Sequence, residues 1–362
     1  MSDVTRAPKP AASAQGGVTP ETAAAAVKAK ARTRYPAAAG VTFVALLLFV
    51  AGIAWSVAIG PTPMSIGTIV SGVLLGGHST NASIIHGIRL PRAVVGALVG
   101  ANSGVSGVIM QAVTENPLGA PEILGVNAGA AFLAVAVITI VPSLGGVSVV
   151  LLAFVGAAVC GVLVLMMAGL GRGRTDPVRI ALAGVTLTTL IFSITQAMIL
   201  FYDNATSAIF HWIVGGVNTA TWADARTVLP WTIVGMLGAI ALAGKLNILG
   251  LGEDLARGLG ENVTRIRVLG AVVVVVLAGS AVAVAGPITF IGLVVPHIVR
   301  RLVGPNHYVV IPICAIVGAD VLIYADILSR YVNPPDEVPS GVVTALVGAP
   351  YFIYLARRKK VA

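Results

Sequence analysis

The chain has 362 residues, of which 57% are hydrophobic and only 10% are charged. A soluble domain carries about 25% charged residues, so this composition excludes an ordinary water-soluble fold and favours a protein that spans a lipid bilayer. The formal net charge is +9 at pH 7. Because the basic residues lie between apolar runs and at both ends of the chain, the charge indicates membrane topology rather than a nucleic-acid-binding face.

The chain begins with a polar segment, residues 1–36, that is rich in Ala, Pro, Lys and Arg. Such a composition cannot bury a core and predicts a disordered basic tail. The first apolar run, 37–60, starts too late and is too long for the apolar part of a cleaved signal peptide. We therefore expect a cytoplasmic tail of residues 1–36, a membrane domain of residues 37–356 and a basic cytoplasmic C-terminus of residues 357–362.

The membrane domain consists of apolar runs separated by short polar breaks. The runs are apolar all round and lack the alternation of apolar and polar residues that a β-barrel strand needs. They cover residues 37–60, 91–110, 123–141, 147–170, 180–201, 228–243, 268–285, 288–299, 309–328 and 338–355. Since a helix of about 20 apolar residues crosses a bilayer, the pattern predicts an all-α polytopic membrane bundle of about ten transmembrane helices.

An even number of spans places both termini on one side of the membrane, and the distribution of Lys and Arg indicates which side. With both termini in the cytoplasm, the outer side keeps only four of the 23 Lys and Arg residues, namely Arg89, Arg92, Arg226 and Arg330. We therefore expect a multi-pass protein of the cell membrane with both termini cytoplasmic.

Small residues recur at intervals of four in two of the runs, which lets helix backbones approach closely. They are Gly96, Gly100 and Gly104 in the second run and Gly341, Ala345 and Ala349 in the tenth. Packing within the bundle and a specific contact between two copies both fit this pattern, and packing within the bundle is the favoured interpretation.

The chain lacks the sequence signatures of an enzyme or a metalloprotein. No glycine-rich loop ends in Gly-Lys-Ser/Thr, and the nearest match, Gly244-Lys245, is followed by Leu246. No cluster of His, Cys and acidic residues has the spacing of a metal site, and Cys160 and Cys314 lie singly inside apolar runs. We expect no catalysis, no cofactor and no resident metal, so ATP hydrolysis would belong to a separate subunit.

One carboxylate lies deep inside an apolar run. Asp320 is in the ninth run, and Asp326 lies near the outer end of the same run. Carboxylates at such depth serve as relays in ion-coupled transporters, so a secondary transporter that uses Asp320 is an alternative. A hydrogen-bonded role in helix packing is favoured because Asp320 is isolated. A scaffold or receptor without transport activity is a third possibility.

Several segments resemble one family of membrane proteins. Residues 88–132 read IRLPRAVVGALVGANSGVSGVIMQAVTENPLGAPEILGVNAGAAF, and later segments read LAGVTL (182–187), LGEDLARGLGE (251–261), GPITFIGLVVPHIVRRLV (286–303) and EVPSGVVTALVGAPYFIY (337–354). These segments resemble the BtuC/FecCD permeases in order and spacing from Arg89 onward, although NPLG replaces the NPLA of that family. The tail and the first run lie outside this resemblance.

The resemblance implies a BtuC-like helix bundle that forms the membrane subunit of a bacterial ABC importer for ferric siderophores, haem or cobalamin. A ferric siderophore or related metal chelate is the expected cargo, and haem and cobalamin are the alternatives. The implied partners are cytoplasmic ABC ATPase subunits, an extracellular or periplasmic substrate-binding protein, and a second permease subunit that is the same chain or a paralogue.

The resemblance also implies roles for residues on the cytoplasmic side. The loop of residues 246–267 would hold the coupling helix that docks on the ATPase, with Gly252, Glu253, Ala256, Leu259 and Gly260 as its framework. Asn116, Pro117 and Leu118 would form a cytoplasmic gate. From the residues alone, the first segment contains a short helical pattern, GEDLARGLG (252–260), bounded by glycines, and an ordinary polar loop is the alternative. The second is a turn in which proline stops a helix.

On the outer side, the resemblance implies that Arg89, Arg92 and Arg330 face carboxylates of the binding protein, where exposed charge would set docking register and rate. The alternative is that each arginine only extends its side chain to the interface, and Asp336 or Glu337 could pair with Arg330. The pathway would lie between two permeases, lined by the fifth and tenth runs, with Thr186, Thr189 and Ser193 facing it. These hydroxyls could equally bond back to their own helix.

Overall fold

The structure is a computed structural model that describes residues 35–60, 80–141, 143–144, 147–169, 177–201, 214–332 and 336–358. Most of the expected tail and the last four residues lie outside this range. Residues Thr33–Ala362 group into one compact unit. Within the described ranges the secondary structure is helical and contains no strand.

Ten helices of 13 residues or more occur in the described part of the chain, one for each predicted apolar run. They are α1 Tyr35–Ala58, α2 Leu90–Val113, α3 Val126–Ile140, α4 Val147–Met167, α5 Pro177–Phe201, α6 Trp222–Leu249, α7 Val263–Ala285, α8 Ile291–Val303, α9 His307–Val332 and α10 Ser340–Arg358. The predicted fold class, an all-α membrane helix bundle, is confirmed.

The helices differ in how completely they can cross a bilayer. Among the described residues, seven helical segments are long and apolar enough to span, and α3 and α10 supply shorter apolar segments. Helix α8 has 13 residues, or about 20 Å at 1.5 Å per residue, which is less than the hydrocarbon core of about 30 Å. The non-helical residues before α8, which include buried Ile288, lie against protein, as irregular backbone at membrane depth requires.

Several boundaries differ from the sequence prediction. A five-residue helical segment, Thr80–Ile84, and a π-helical turn, Ile85–Arg89, lead directly into α2. The second span therefore begins earlier than residue 91. Helix α6 begins at a capping box formed by Thr221 and Asp224 and runs to Leu249. The connection between α6 and α7 therefore covers residues 250–262, which is shorter than the predicted loop 246–267.

Helix α2 lies at the centre of the bundle and packs against α6, α7, α8 and α9. A Cβ added at Gly100 or Gly104 would collide with carbonyl oxygens of Gly318 and Cys314 in α9, and one added at Gly107 would collide with Gly292 in α8. The glycine stripe of α2 thus serves packing within the chain, which is the favoured interpretation from the sequence.

Three helices lie at the periphery. Helix α1 packs mainly on α9, α5 packs on α3 and α4, and α10 packs on α8 and α9. Each leaves large apolar side chains exposed, among them Phe43 on α1, Leu182 on α5 and Leu346 on α10. Lipid or a further subunit must cover these faces, since water would make their exposure costly.

Candidate functional site

A cluster of buried charges lies at the N-terminal end of α2. Arg92 is 5% exposed, and its Nε and Nη2 donate hydrogen bonds of 2.8 to 3.0 Å to both carboxylate oxygens of Asp326 in α9. Its Nη1 donates to Glu337, just before α10, at 2.5 Å. This bidentate pairing in a dry environment joins α2 to α9 and to the α9–α10 connection.

Two further arginines complete this arginine cluster, which we define as Arg89, Arg92 and Arg330. Arg330 donates to Asp326 at 2.6 Å and to the carbonyl oxygen of Ser56 at 2.7 Å. Arg89 is 3% exposed and donates to the carbonyl oxygens of Val57 and Ala58 at 2.9 Å. These carbonyls end α1, where a cation is favoured by the helix dipole.

The cluster holds three guanidinium groups and two carboxylates, Asp326 and Glu337. A cavity of about 320 Å³ is lined by all three arginines and by Glu337. Arg330 pairs with Asp326 and Glu337 pairs with Arg92, so the possible pairing of Arg330 with Glu337 or Asp336 is not seen among the described residues. The arginines thus tie helix ends together, and their role in docking stays a prediction.

At the opposite end of α2, the chain turns sharply through residues 114–119, which we call the α2 turn. The Asn116 side chain accepts a hydrogen bond from the backbone N–H of Leu118 at 2.9 Å, and the N–H of Asn116 donates to the carbonyl of Gln111 at 3.1 Å. Asn116 is exposed, and Pro117 and Leu118 are half-buried. The three predicted gate residues therefore form one compact turn at the surface of the bundle.

The connection between α6 and α7 contains the predicted helical segment, here called the short helix, Glu253–Gly258. Gly252 precedes it with φ 111° and Gly260 follows it with φ 83°, conformations that favour glycine. Ala256 is fully buried against the bundle, whereas Leu255 is 55% and Leu259 65% exposed. The short helix thus presents two leucines away from the bundle.

One buried arginine joins the short helix to the α2 turn. Arg267 in the second turn of α7 donates from Nη2 to Glu115 at 2.6 Å and to Glu253 at 3.0 Å. Glu253 also pairs with Arg257 at 2.5 Å. The sequence does not reveal this bridge because Glu115 and Arg267 are 152 residues apart. Only the Glu253–Arg257 pair has the i,i+4 spacing that is typical of a helical ion pair.

The three hydroxyl residues expected to line a pathway lie on an exposed face of α5. Thr186, Thr189 and Ser193 each donate to the carbonyl oxygen four residues earlier, at 2.8 to 2.9 Å. Gln196 lies on the same exposed face. The hydroxyls therefore bond back to their own helix, as the alternative interpretation held, and the face they share is weakly polar.

Asp320 is buried in α9 at 6% exposure. Its Oδ1 has no hydrogen-bond partner in the described part of the chain. The structure therefore does not support the favoured interpretation, a hydrogen-bonded packing role. Among the described residues, no group of three or more His, Cys, Asp or Glu could hold a metal ion.

Comparison with known proteins gives consistent matches over most of the chain. The family model described as the FecCD transport family matches residues 19–358, which includes the first helix that the sequence resemblance left out. The chain is 40% identical to the Fe(3+)-citrate import system permease protein YfmD of Bacillus subtilis, over 87% of this chain and 93% of that protein. It is 38% identical to the cobalamin import system permease protein BtuC of Halobacterium salinarum, over 79% and 76%.

A solved structure shares the fold. It is described as an inward-facing conformation of a metal-chelate type ABC transporter, and it superposes with a TM-score of 0.78 at 26% sequence identity. The match covers 88% of this chain and 99% of the solved chain. The helix order and packing described above are therefore those of a known transporter architecture.

Proposed function

Because the chain belongs to the FecCD transport family, we propose that it is the permease subunit of an ATP-binding-cassette importer that carries a ferric siderophore or related iron chelate into the cell. The observation that carries the proposal is the short helix, which is flanked by glycines and presents Leu255 and Leu259 outward. Exposed leucines on a polar connection are typical of a surface that another protein covers.

The proposed partner at the short helix is a cytoplasmic ABC ATPase subunit. A groove of about 760 Å³ lies beside the short helix and is lined by residues that include Arg257, Gly260 and Arg265. Exposed leucines next to such a groove supply the apolar centre and charged rim that stable interfaces use. The ATPase would hydrolyse ATP, and this chain would move in response without catalysing a reaction.

The proposed partner at the arginine cluster is an extracellular or periplasmic substrate-binding protein. Three guanidinium groups outnumber the two carboxylates around the 320 Å³ cavity, which leaves an excess of positive charge. An acidic surface on the binding protein would be attracted to this end of the bundle and oriented by it. Because Arg89 and Arg92 are buried, the attraction would act through the field of the cluster more than through direct contact.

The proposed pathway lies between this chain and a second permease subunit, either a second copy or a paralogue. The exposed face of α5 combines Thr186, Thr189 and Ser193 with apolar residues, and α10 carries a groove of about 620 Å³ that Ala345 and Ala349 help to line. A weakly polar wall suits a bulky chelate, which must slide past without binding tightly.

The proposed orientation places both termini and the short helix in the cytoplasm of a bacterial cell and the arginine cluster outside. The arginine cluster and the ion pairs of Arg267 lie at opposite ends of α2. Its first residues include Arg92, and the α2 turn at its other end includes Glu115. A chain in this orientation can contact a binding protein and an ATPase at the same time.

The cargo is proposed by similarity. The relative named for Fe(3+)-citrate import is 40% identical and the relative named for cobalamin import 38%, so overall identity separates the two cargoes poorly. Relatives named for import of iron-hydroxamate, Fe(3+) dicitrate and ferric enterobactin match as well, which favours an iron chelate. Haem and cobalamin are the alternatives.

Transport in proteoliposomes tests the proposal. The chain would be reconstituted with its ATPase and binding protein, and uptake of labelled ferric siderophore, haem and cobalamin would be measured with and without ATP. We expect ATP-dependent uptake of the ferric chelate.

The second candidate function is ion-coupled transport, which is favoured by the unpaired Oδ1 of buried Asp320. Uptake that is unaffected by ATP depletion but is lost when the membrane potential collapses would identify it.

A further inference from the structure

The Arg267 side chain contacts two elements to which the proposed function gives different tasks. Its Nη2 donates both to Glu115 in the α2 turn and to Glu253 in the first turn of the short helix. The Arg267 side chain is 4% exposed, whereas those of Glu115 and Glu253 are 37% and 29% exposed. A single buried guanidinium therefore joins the turn that closes α2 to the helix that presents Leu255 and Leu259.

The backbone at Glu115 provides independent support for a role of its side chain. Glu115 has φ 49°, and it is one of two non-glycine residues with positive φ among those the structure describes. The position directly after a helix C-terminus is usually glycine, because a Cβ in this conformation costs free energy. The Glu115 carboxylate makes an ion pair with Arg267, a contact that glycine at this position would lack.

The bridge is stiff because its centre is buried. A surface ion pair is screened by water and loosely held, whereas separating a buried arginine from one of its carboxylates leaves its charge less well compensated. Movement of Glu253 away from Arg267 is therefore opposed, and displacement of the short helix is transmitted to Arg267 and then to Glu115. By contrast, Arg300 in α8 donates its hydrogen bonds among the described residues to Gln111 and Val108 near the end of α2.

We propose that the Glu253–Arg267–Glu115 bridge carries displacement of the short helix to the α2 turn, with Arg267 as the positioning residue that couples the ATPase to the gate. This inference rests on the proposed function, since it assumes that an ATPase moves the short helix and that the α2 turn opens and closes. The two contacts act in series, so loss of either one interrupts the transmission.

The test uses Glu115→Gln, Glu253→Gln and the double variant, each reconstituted with the ATPase and binding protein in proteoliposomes. The readout is the ratio of chelate taken up to ATP hydrolysed. We expect the ratio to fall roughly fivefold in each single variant, within the range found for residues that couple distant sites. Glu115→Gln, which lies outside the short helix, should bind the ATPase and hydrolyse ATP as the wild type does. The uptake ratio of the double variant should be no lower than that of the single variants, because both changes interrupt the same chain of contacts.

Two further variants separate coupling from folding. Glu115→Gly removes the carboxylate but also relieves the positive φ, so the thermal unfolding midpoint should fall less than in Glu115→Gln, while the uptake ratio falls to the same extent. Arg301→Gln serves as the control, because Arg301 is an exposed arginine on the same end of the bundle with no ion pair in the described part of the chain. It should keep the wild-type ratio.

Four results would contradict the proposed role of the bridge: an unchanged ratio in either single variant, additive losses in the double variant, a lowered unfolding midpoint with an unchanged ratio, or loss of ATPase binding in Glu115→Gln. Failure of the proposed function is a separate result, because the wild-type chain itself would then show no ATP-dependent uptake.

Discussion

Single glycines determine how closely α2 approaches its neighbours. Gly107 faces the backbone of Gly292, and Gly100 and Gly104 face α9, so the two pairs of helices meet backbone to backbone. In lipid, where apolar side chains gain little by leaving the solvent, such close packing is a main source of helix association. The central position of α2 therefore depends on these individual glycines as much as on the hydropathy of the helix.

We predict that Gly107→Ala destabilises the bundle by about 1 to 3 kcal/mol, because the added methyl group collides with backbone that cannot rotate away. Thermal unfolding in detergent would measure the loss. Gly96→Ala is the matched control, since a Cβ there meets its nearest atom, in Val217, only at 3.8 Å. Equal unfolding midpoints for the two variants would contradict the packing described for α2.

The partners of buried charges could not be predicted from the sequence. Sequence analysis found Arg89, Arg92 and Arg330 because basic residues are rare on the outer side. It could not assign their partners, since Asp326 and Glu337 reach Arg92 across 234 and 245 residues of sequence. The distance along the chain between Glu115 and Arg267 hid the bridge for the same reason.

We predict that Arg89→Gln weakens binding of the substrate-binding protein and reduces its dependence on salt, because one positive charge leaves the arginine cluster. Affinity measured at several ionic strengths would give both quantities, and a few-fold loss at low salt is expected. Arg226→Gln is the control, since Arg226 is exposed at the start of α6 and lies outside the cluster. If the affinity of the wild type and of Arg89→Gln depended equally on ionic strength, the arginine cluster would have no part in docking.

At the scale of elements, hydropathy predicted all ten helices, because a span is specified by a local run of apolar residues. Their ends were less predictable. Helix α6 extends through a polar capping box at Thr221 and continues to Leu249, which shortens the following connection. The short helix was predicted because glycines bound it, but its burial through Ala256 depends on tertiary contacts.

We predict that Gly260→Val leaves the permease folded and in the membrane but impairs its coupling to the ATPase. A β-branched residue at φ 83° is strained by about 1 to 2 kcal/mol and would reorient the chain that follows the short helix. Substrate-stimulated ATP hydrolysis in liposomes would report the defect. Gly258→Ala is the control, because Gly258 is helical and has open space around it; equal hydrolysis in both variants would contradict the prediction.

At the scale of the whole molecule, the bundle carries different chemistry at its two ends and different surfaces around its sides. One end holds the arginine cluster, and the other holds the short helix and the Arg267 bridge. Helix α1 exposes almost only apolar residues, as lipid requires, whereas α5 interleaves hydroxyl groups with apolar ones. This division is what a permease needs if it binds one partner on each side of a membrane and lines a pathway along one flank.

The orientation of this division is the last prediction. We expect a cysteine introduced by Leu259→Cys to react with a membrane-impermeant maleimide in inverted vesicles and not in intact cells, because Leu259 is 65% exposed on the connection that we assign to the cytoplasm. Cys160 and Cys314 are buried and should give little background. Arg226→Cys provides the opposite control, since its exposed position at the other end of α6 should react from outside. Labelling of Leu259→Cys in intact cells would show that the topology is the opposite of the proposed one. An ATPase in the cytoplasm could then not reach the short helix.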